Sequence, residues 1–373
     1  MPPATVGGVA RREVARLEWW VADGGDPIDL LCAFLVRYGL GSPGQDELIT
    51  GRDQLGAVVY LSAAAGAVTL GVRQGAPSPA PAVPDLACVV YQRTGAASPE
   101  RQAGPWSLGA WEPSWTAAEH ADGVRAVQAA IARGDVYQVN LVGHASAPYR
   151  GDPLPALHRV TGLPGAAYPY LLAGAGWAVA CASPETLVRV RGARVETLPI
   201  KGTRPATAVG AAELRASAKE RAEHVMIVDL VRNDLARVAR TGSVTVPSLF
   251  AVRRWCDLWQ AESRVCAELA EGADLGAVLR AVWPGGSVTG APKLAALDLI
   301  AALEPVGRGP SMGALGWLEA GRLDLGLTIR TVAVDGDRVH VWAGGGITWD
   351  SDPDAEVAEA AAKAAPLKAA LSP

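Results

Sequence analysis

Four glutamates occur as two pairs with the same spacing. Glu220 and Glu223 fall in Lys219-Glu220-Arg221-Ala222-Glu223, and Glu356 and Glu359 fall near the C-terminus, with Lys363 four residues further on. Residues three apart project from one face of a helix, so each pair would present two carboxylates side by side. Like charges so placed repel and call for compensation. Two such pairs supply enough hard oxygen to hold one divalent cation such as Mg²⁺, which takes one or two protein carboxylates, several waters and a substrate oxygen. The same spacing also suits two solvated helix faces, and spacing alone does not choose between them.

A second candidate is an amine. Only five of the 34 basic residues are lysines: Lys201, Lys219, Lys293, Lys363 and Lys368. Lys201 lies in Leu198-Pro199-Ile200-Lys201-Gly202-Thr203-Arg204-Pro205, between an apolar strand end and a glycine. Burial there would disfavour the ammonium and lower its pKa, which a nucleophilic lysine requires. Arginine cannot shed a proton in this way. Two glycine-rich stretches add possible anion sites. Trp342-Ala343-Gly344-Gly345-Gly346-Ile347 follows a strand and precedes the second carboxylate helix, and reads as a turn whose N–H groups approach a ligand. Trp283 to Lys293 precedes an apolar helix, Leu294–Leu303. Arg330, at the end of a strand-like run, is either paired in the core or aimed at a ligand carboxylate.

The rest of the chain must position these groups. It has 373 residues, half of them hydrophobic, with 19% charged and a net charge of −4, enough to bury a large core. No basic run suggests nucleic acid. Five widely spaced cysteines without a CxxC pair fit neither a disulfide framework nor a zinc site, and point to the cytoplasm. Met1 to Trp20 has no secretory core. Uncharged Leu55–Val72 reads as two short strands, Ala57–Leu61 and Ala67–Val72, rather than as a membrane span.

Periodicity predicts a helix over Ala117–Arg133, stopped by Gly134, and then a strand over Val136–Val142. Strands over Trp177–Ala182 and Thr186–Val190 flank a Ser183-Pro184 corner. A long helix runs from Glu213 to Met226 and on towards Val231. Strands follow near Val244–Val246, Leu327–Val334 and Arg338–Trp342. A last helix spans Glu356–Ala364, with Asp352 as N-cap and Pro353 at its first position. Strands mixed with long helices, without strict alternation, indicate an α+β fold. Residues 111–373 read as the core and residues 1–110 as an N-terminal elaboration of the same domain.

Taken in order, these segments resemble the chorismate-utilising enzymes, most closely the aminodeoxychorismate synthase component I branch. The matching blocks are Gly134–Leu141, Ser183-Pro184-Glu185, Pro199–Pro205, Lys219–His224, Val228–Leu235, Gly286–Lys293, Ile329-Arg330-Thr331 and Ala343–Ile347. The resemblance implies antiparallel sheets packed together and flanked by helices. It implies that Glu223 and Glu359 ligate Mg²⁺, with Glu220 and Glu356 behind them. Arg330, Lys363, Thr289, Gly202, Thr203 and the N–H groups near Gly344, Gly345 and Gly346 would hold chorismate. Glu185 would protonate the departing hydroxyl and Lys201 would be the nucleophile.

The branch is read from two positions. Gln138 stands where water-adding members carry lysine, and Lys201 stands where anthranilate synthases carry alanine. The implied product is 4-amino-4-deoxychorismate, towards 4-aminobenzoate and folate. Ammonia would come from a separate glutamine amidotransferase subunit, since no cysteine here has the Gly-x-Cys-x-Gly setting. Two departures stand out: Gln260 where the family has histidine, and Ser311 where it has an aromatic residue. His224 reads as packing rather than catalytic.

Overall fold

Trp177-Ala-Val-Ala-Cys-Ala-Ser183 is buried from end to end, as a strand between two packed layers must be. Its odd-numbered residues Val179 and Cys181 join Leu187, Val188 and Leu325 in the core between two sheets. Its even-numbered residues Ala178 and Ala180 face the other way, against Leu157 and Val160 of one helix and Leu367 and Leu371 of the C-terminal helix. The period-2 pattern of one strand thus sets a layered order of sheet, sheet, helix. The computed structural model describes residues 5–6, 9–41, 55–93 and 105–373.

Among the described residues one sheet has eleven strands and the other eight, and their strands pair antiparallel throughout. The protein is therefore α+β, as the sequence predicts. Leu55–Leu61 pairs with Ala314–Glu319, and Val9–Trp19 and Leu86–Arg93 continue that sheet outward. Among the described residues no helix is long and apolar enough to cross a membrane.

Two of the passages between the sheets run directly from strand to strand, and they lie side by side. One is Ser183-Pro184-Glu185, between Trp177–Ser183 and Thr186–Arg191. The other is Thr328-Ile329-Arg330, between Arg322–Leu327 and Thr331–Asp335. The Leu327 N–H donates to the Glu185 carbonyl at 3.1 Å, and the Ala182 N–H to the Arg330 carbonyl at 3.0 Å. Arg330 has φ 53°, left-handed backbone that a bulky side chain rarely adopts.

Several expected elements change. Ala67–Val72 is not a strand; Ala63–Leu70 is a helix, capped by the Ser62 hydroxyl and closed by left-handed Gly71. Its alanines favour helix once such a cap is present. The single helix expected from Glu213 is two, Ala208–Ala216 and Ala218–Ala236. Ser217, extended, breaks the first and caps the second through the Glu220 N–H. The strand expected over Leu327–Val334 is cut by the sheet crossing. Arg338–Ile347 runs straight through the three glycines, so they are strand and not turn. The last helix extends over Pro353–Leu371 past Pro366, because Leu367 and Leu371 are needed in the core beneath it. Ala117–Arg133 has the expected bounds, with a Thr116–Glu119 capping box and left-handed Gly134.

Two strands of the smaller sheet carry a buried imidazole pair. His144 Nδ1 meets Ser114 Oγ at 2.5 Å and His144 Nε2 meets His340 Nδ1 at 3.1 Å. Burial lowers both, His144 to about 3 and His340 to about 4. The unfolded chain, with histidine near about 6.5, binds more protons between those values. Stability is therefore full above about pH 6.5 and drains as the pH falls towards 4. The urea midpoint should decline over that window, and the double variant His144→Gln/His340→Gln should flatten the decline. A wild-type midpoint unchanged from pH 6.5 to 4 would overturn this account.

Candidate active site

Lys201 owes its position to a bulge. In Ile200–Pro205, Lys201 pairs with Ala261, but the next partners are Thr203 and Gln260, so the register slips at Gly202. Gly202 has φ +80°, and a side-chain carbon there would stand 2.9 Å from Glu220 Oε2 and from Leu214 Cδ1, so glycine is required. The bulge sends the Lys201 side chain, 16% exposed, to Glu223 Oε2 at 2.8 Å and to the Gly346 carbonyl at 3.2 Å. Burial pulls the ammonium down, but Glu223, Glu359 and Glu356 outweigh it, and Lys201 titrates above the ordinary lysine value. This corrects the lowering expected from the sequence. Burial acts as foreseen, yet the bulge delivers the amine into a group of carboxylates.

The four glutamates do come together, around one cavity of about 410 Å³ that Lys201 also lines. Each is held by a protein cation or a hydroxyl. Glu220 takes Arg204 at 2.8 Å, and Glu223 takes Lys201 together with the Thr348 hydroxyl at 3.0 Å. Glu356 accepts from Ser351 Oγ at 2.7 Å, and Glu359 takes Lys363 at 2.6 Å. Burial raises the Glu359 carboxyl, but Lys363, Lys201 and Arg330 outweigh it and hold it at about 2. Four oxygen donors on two helices suit a hard divalent cation in their chemistry. Among the described residues no three acidic, imidazole or thiol groups converge as a ready metal cluster, since each carboxylate is turned to its own partner.

The glycine strand forms another wall. Gly344, Gly345 and Gly346 pair with Val142, Leu141 and Asn140. The Gly344 carbonyl accepts from Lys363 Nζ at 2.8 Å, as Gly346 does from Lys201. A strand residue directs its N–H and C=O to the same side, so the N–H groups of Gly344 and Gly346 lie along this same cavity edge. A side-chain carbon on Gly346 would stand 2.8 Å from Lys201 Nζ and 2.7 Å from Gln138 Nε2.

The two sheet crossings supply the remaining wall. Glu185 is 3% exposed and accepts from Ser287 Oγ at 2.6 Å. Burial pushes its carboxyl up to about 7, and Ser287 restrains that rise. Arg330 is 6% exposed, and its guanidinium lies 4.6 Å from the Trp255 ring centroid while its Nε has no partner. Burial brings it down to about 10.

Gly202, Thr203 and Lys363 also line the cavity, but Thr289 stands apart. The Thr289 hydroxyl donates to the Gly285 carbonyl at 2.9 Å, and its side chain lines a smaller neighbouring cavity of about 80 Å³. Ser311 is fully buried and does not line the main cavity; Met312 does, at φ 61°. Gln260 lines it, and His224 packs edge-on against Phe250 with its Nε2 2.5 Å from Ser263 Oγ. Sequence reasoning did not single out Asn140, Arg204, Ser287 or Trp342. Asn140, Arg204 and Ser287 lie inside blocks already marked; strand alternation can signal the direction of Asn140 and Arg204, whereas Ser287 sits in a short 3-10 turn, Gly286–Val288.

A family model described as chorismate binding enzyme matches residues 49–369. Anthranilate synthase component 1 of Streptomyces coelicolor is 42% identical over 257 residues, 67% of this chain and 50% of the relative. Aminodeoxychorismate synthase component 1 of Salmonella typhimurium is 40% identical over 257 residues, 67% of this chain and 57% of the relative. The chain thus spans little more than half the length of these curated relatives. The solved structure of anthranilate synthase component I from Streptococcus pneumoniae shares its fold, with a TM-score of 0.81 at 24% identity, covering 98% of this chain and 94% of that one. With the matched segment running through both sheets and all four glutamates, the chain belongs to the chorismate binding enzyme family.

Proposed function

We propose that this chain aminates chorismate to 4-amino-4-deoxychorismate, as the component I of an aminodeoxychorismate synthase. One observation carries the reading: a lysine amine, Lys201, lines the same cavity as Glu185, a carboxyl that keeps its proton to about pH 7. Lys201 attacks C2 of the ring, and Glu185 protonates the C4 hydroxyl as it departs. Ammonia then adds at C4 and Lys201 is released. Arg330, Lys363 and the edge N–H groups of Gly344 and Gly346 hold the two substrate carboxylates.

A Mg²⁺ ion on Glu223 and Glu359, backed by Glu220 and Glu356, would compensate the charge of the ring carboxylate. Glutamates so engaged would no longer hold the Lys201 ammonium, and burial of the lysine would then favour the free amine. Buried Gln138 has no basic group with which to activate water. Ammonia comes from a separate glutamine amidotransferase subunit, as the component 1 names of the relatives suggest. The anthranilate synthase reading draws on the 42% identity to the Streptomyces coelicolor protein. Against it stands Gln260, which cannot supply the proton transfers of pyruvate elimination.

Chorismate, Mg²⁺ and ammonium should give 4-amino-4-deoxychorismate by mass spectrometry; anthranilate as the product would replace this reading with the second one. Without ammonium, peptide mapping should find a substrate adduct on Lys201. Lys201→Ala should lose more than about a hundredfold in turnover, and an unimpaired variant would remove the nucleophile. Because Glu185 must carry its proton, the rate should fall as pH rises through about 7. Ser287→Ala deletes the bond that restrains that value, so the falling limb should move to higher pH. A limb that stays in place would separate Glu185 from the proton transfer.

A further inference from the structure

Two buried amides beside the cavity lack partners. Gln138 is 0% exposed with neither Oε1 nor Nε2 bonded, and Asn140 is 7% exposed with Oδ1 unbonded. Buried polar groups without partners are costly and call for an explanation. The two residues are two apart on Gln138–Gly151, so they share one face of the strand. Asn140 also lines the main cavity.

Its backbone is fixed on the side away from the glycine strand. The Asn140 N–H donates to the Thr289 carbonyl at 2.7 Å, and its own carbonyl accepts from Arg308 Nη2 at 2.7 Å. Arg308 is itself clamped by Glu304 at 2.6 Å, with both side chains almost fully buried. Asn140 and Gly346 therefore face each other without hydrogen bonds between them, the register in which side chains approach closest. Gly346 contributes no side chain, so the space opposite Asn140 opens towards Lys201, whose Nζ bonds the Gly346 carbonyl.

We propose that Asn140 forms the seat of the nitrogen nucleophile, its unpartnered side-chain oxygen accepting an N–H group of that nucleophile. This rests on the amination reading above. The seat contains an acceptor but no base. Ammonia needs no base, because its lone pair attacks without prior loss of a proton, whereas water must be deprotonated to compete. As the nitrogen lone pair forms the C4–N bond, the two conjugated ring double bonds each shift by one position. The C2–N bond to Lys201 breaks, its electron pair staying on the Lys201 nitrogen. The new ammonium gives one proton to that nitrogen, leaving two neutral amines. The Asn140 amide oxygen stabilises the positive charge that develops on the attacking nitrogen.

Asn140→Leu keeps the size of the side chain and removes the acceptor. It should raise the KM for ammonium roughly tenfold, the scale of one lost hydrogen bond to a group becoming charged. The chorismate Kd and the yield of the Lys201 adduct without ammonium should stay within about twofold. Asn140→Asp restores an acceptor and adds a base, and should divert part of the product from amine to alcohol. An unchanged ammonium KM in Asn140→Leu, in a wild type that aminates, overturns the seat. Absence of both adduct and aminated product in the wild type overturns the amination reading instead. Circular dichroism matching the wild type checks that each variant is folded, and Asn140→Gln, which keeps an amide, should recover most of the ammonium affinity.

Discussion

Charge balance inside one cavity constrains the rest of the molecule. Four glutamates from two helices face a space that also holds Lys201, Lys363, Arg204 and Arg330. Carboxylates this far from bulk water are tolerated only when each has a cation or a donor. The Lys201–Glu223 contact at 2.8 Å demonstrates this, because with Glu359 and Glu356 it overrides the burial that would otherwise discharge the lysine. The helices must stay where these pairs meet, which fixes Ala218–Ala236 and Pro353–Leu371 relative to the glycine strand.

The sheets provide the frame for this balance. The two direct strand-to-strand crossings between them fall at the cavity, and each leaves a chemically useful residue at its turn: Glu185 at one and Arg330 at the other. A chain that leaves one sheet for another gives up its ladder partners for a few residues, so side chains there are directed by the crossing and not by pleat alternation. The left-handed backbone at Arg330 is part of that geometry. It is kept in place by the Ala182–Arg330 backbone bond and by the Trp255 ring beneath the guanidinium. Strain of this kind persists where its surroundings over-determine it.

Legibility from the sequence varied with the range of the interaction. Ala117–Arg133 was readable to the residue because a capping box, an apolar face and a terminal glycine are all local. The helix starting after Asp352 was readable for the same reason. The break at Ser217 is not legible, since helix-favouring Ala, Glu, Lys and Arg on both sides mask a single capping serine. The glycines at 344–346 read as a turn in the sequence, because only the partner strand, just over 200 residues earlier, makes them strand. The scarce lysines prove informative in different ways. Lys201 and Lys363 line the cavity, while Lys293 is spent on a buried pair with Asp234 at 3.0 Å.

The sequence by itself determined the α+β class, the chemistry-bearing residue types and their spacing along helices, and the motif order that resembles the family. These depend on neighbours within a few residues or on strings of motifs. Only the tertiary structure decided that the four glutamates meet Lys201 in one cavity, that Thr289 lies outside it, and that Asn140 lines it. It also reversed the direction of the Lys201 pKa. The physical reason is common to all four. Burial, charge compensation and the direction of a side chain are set by partners brought from far along the chain, and a bulge of one residue at Gly202 is enough to redirect an amine.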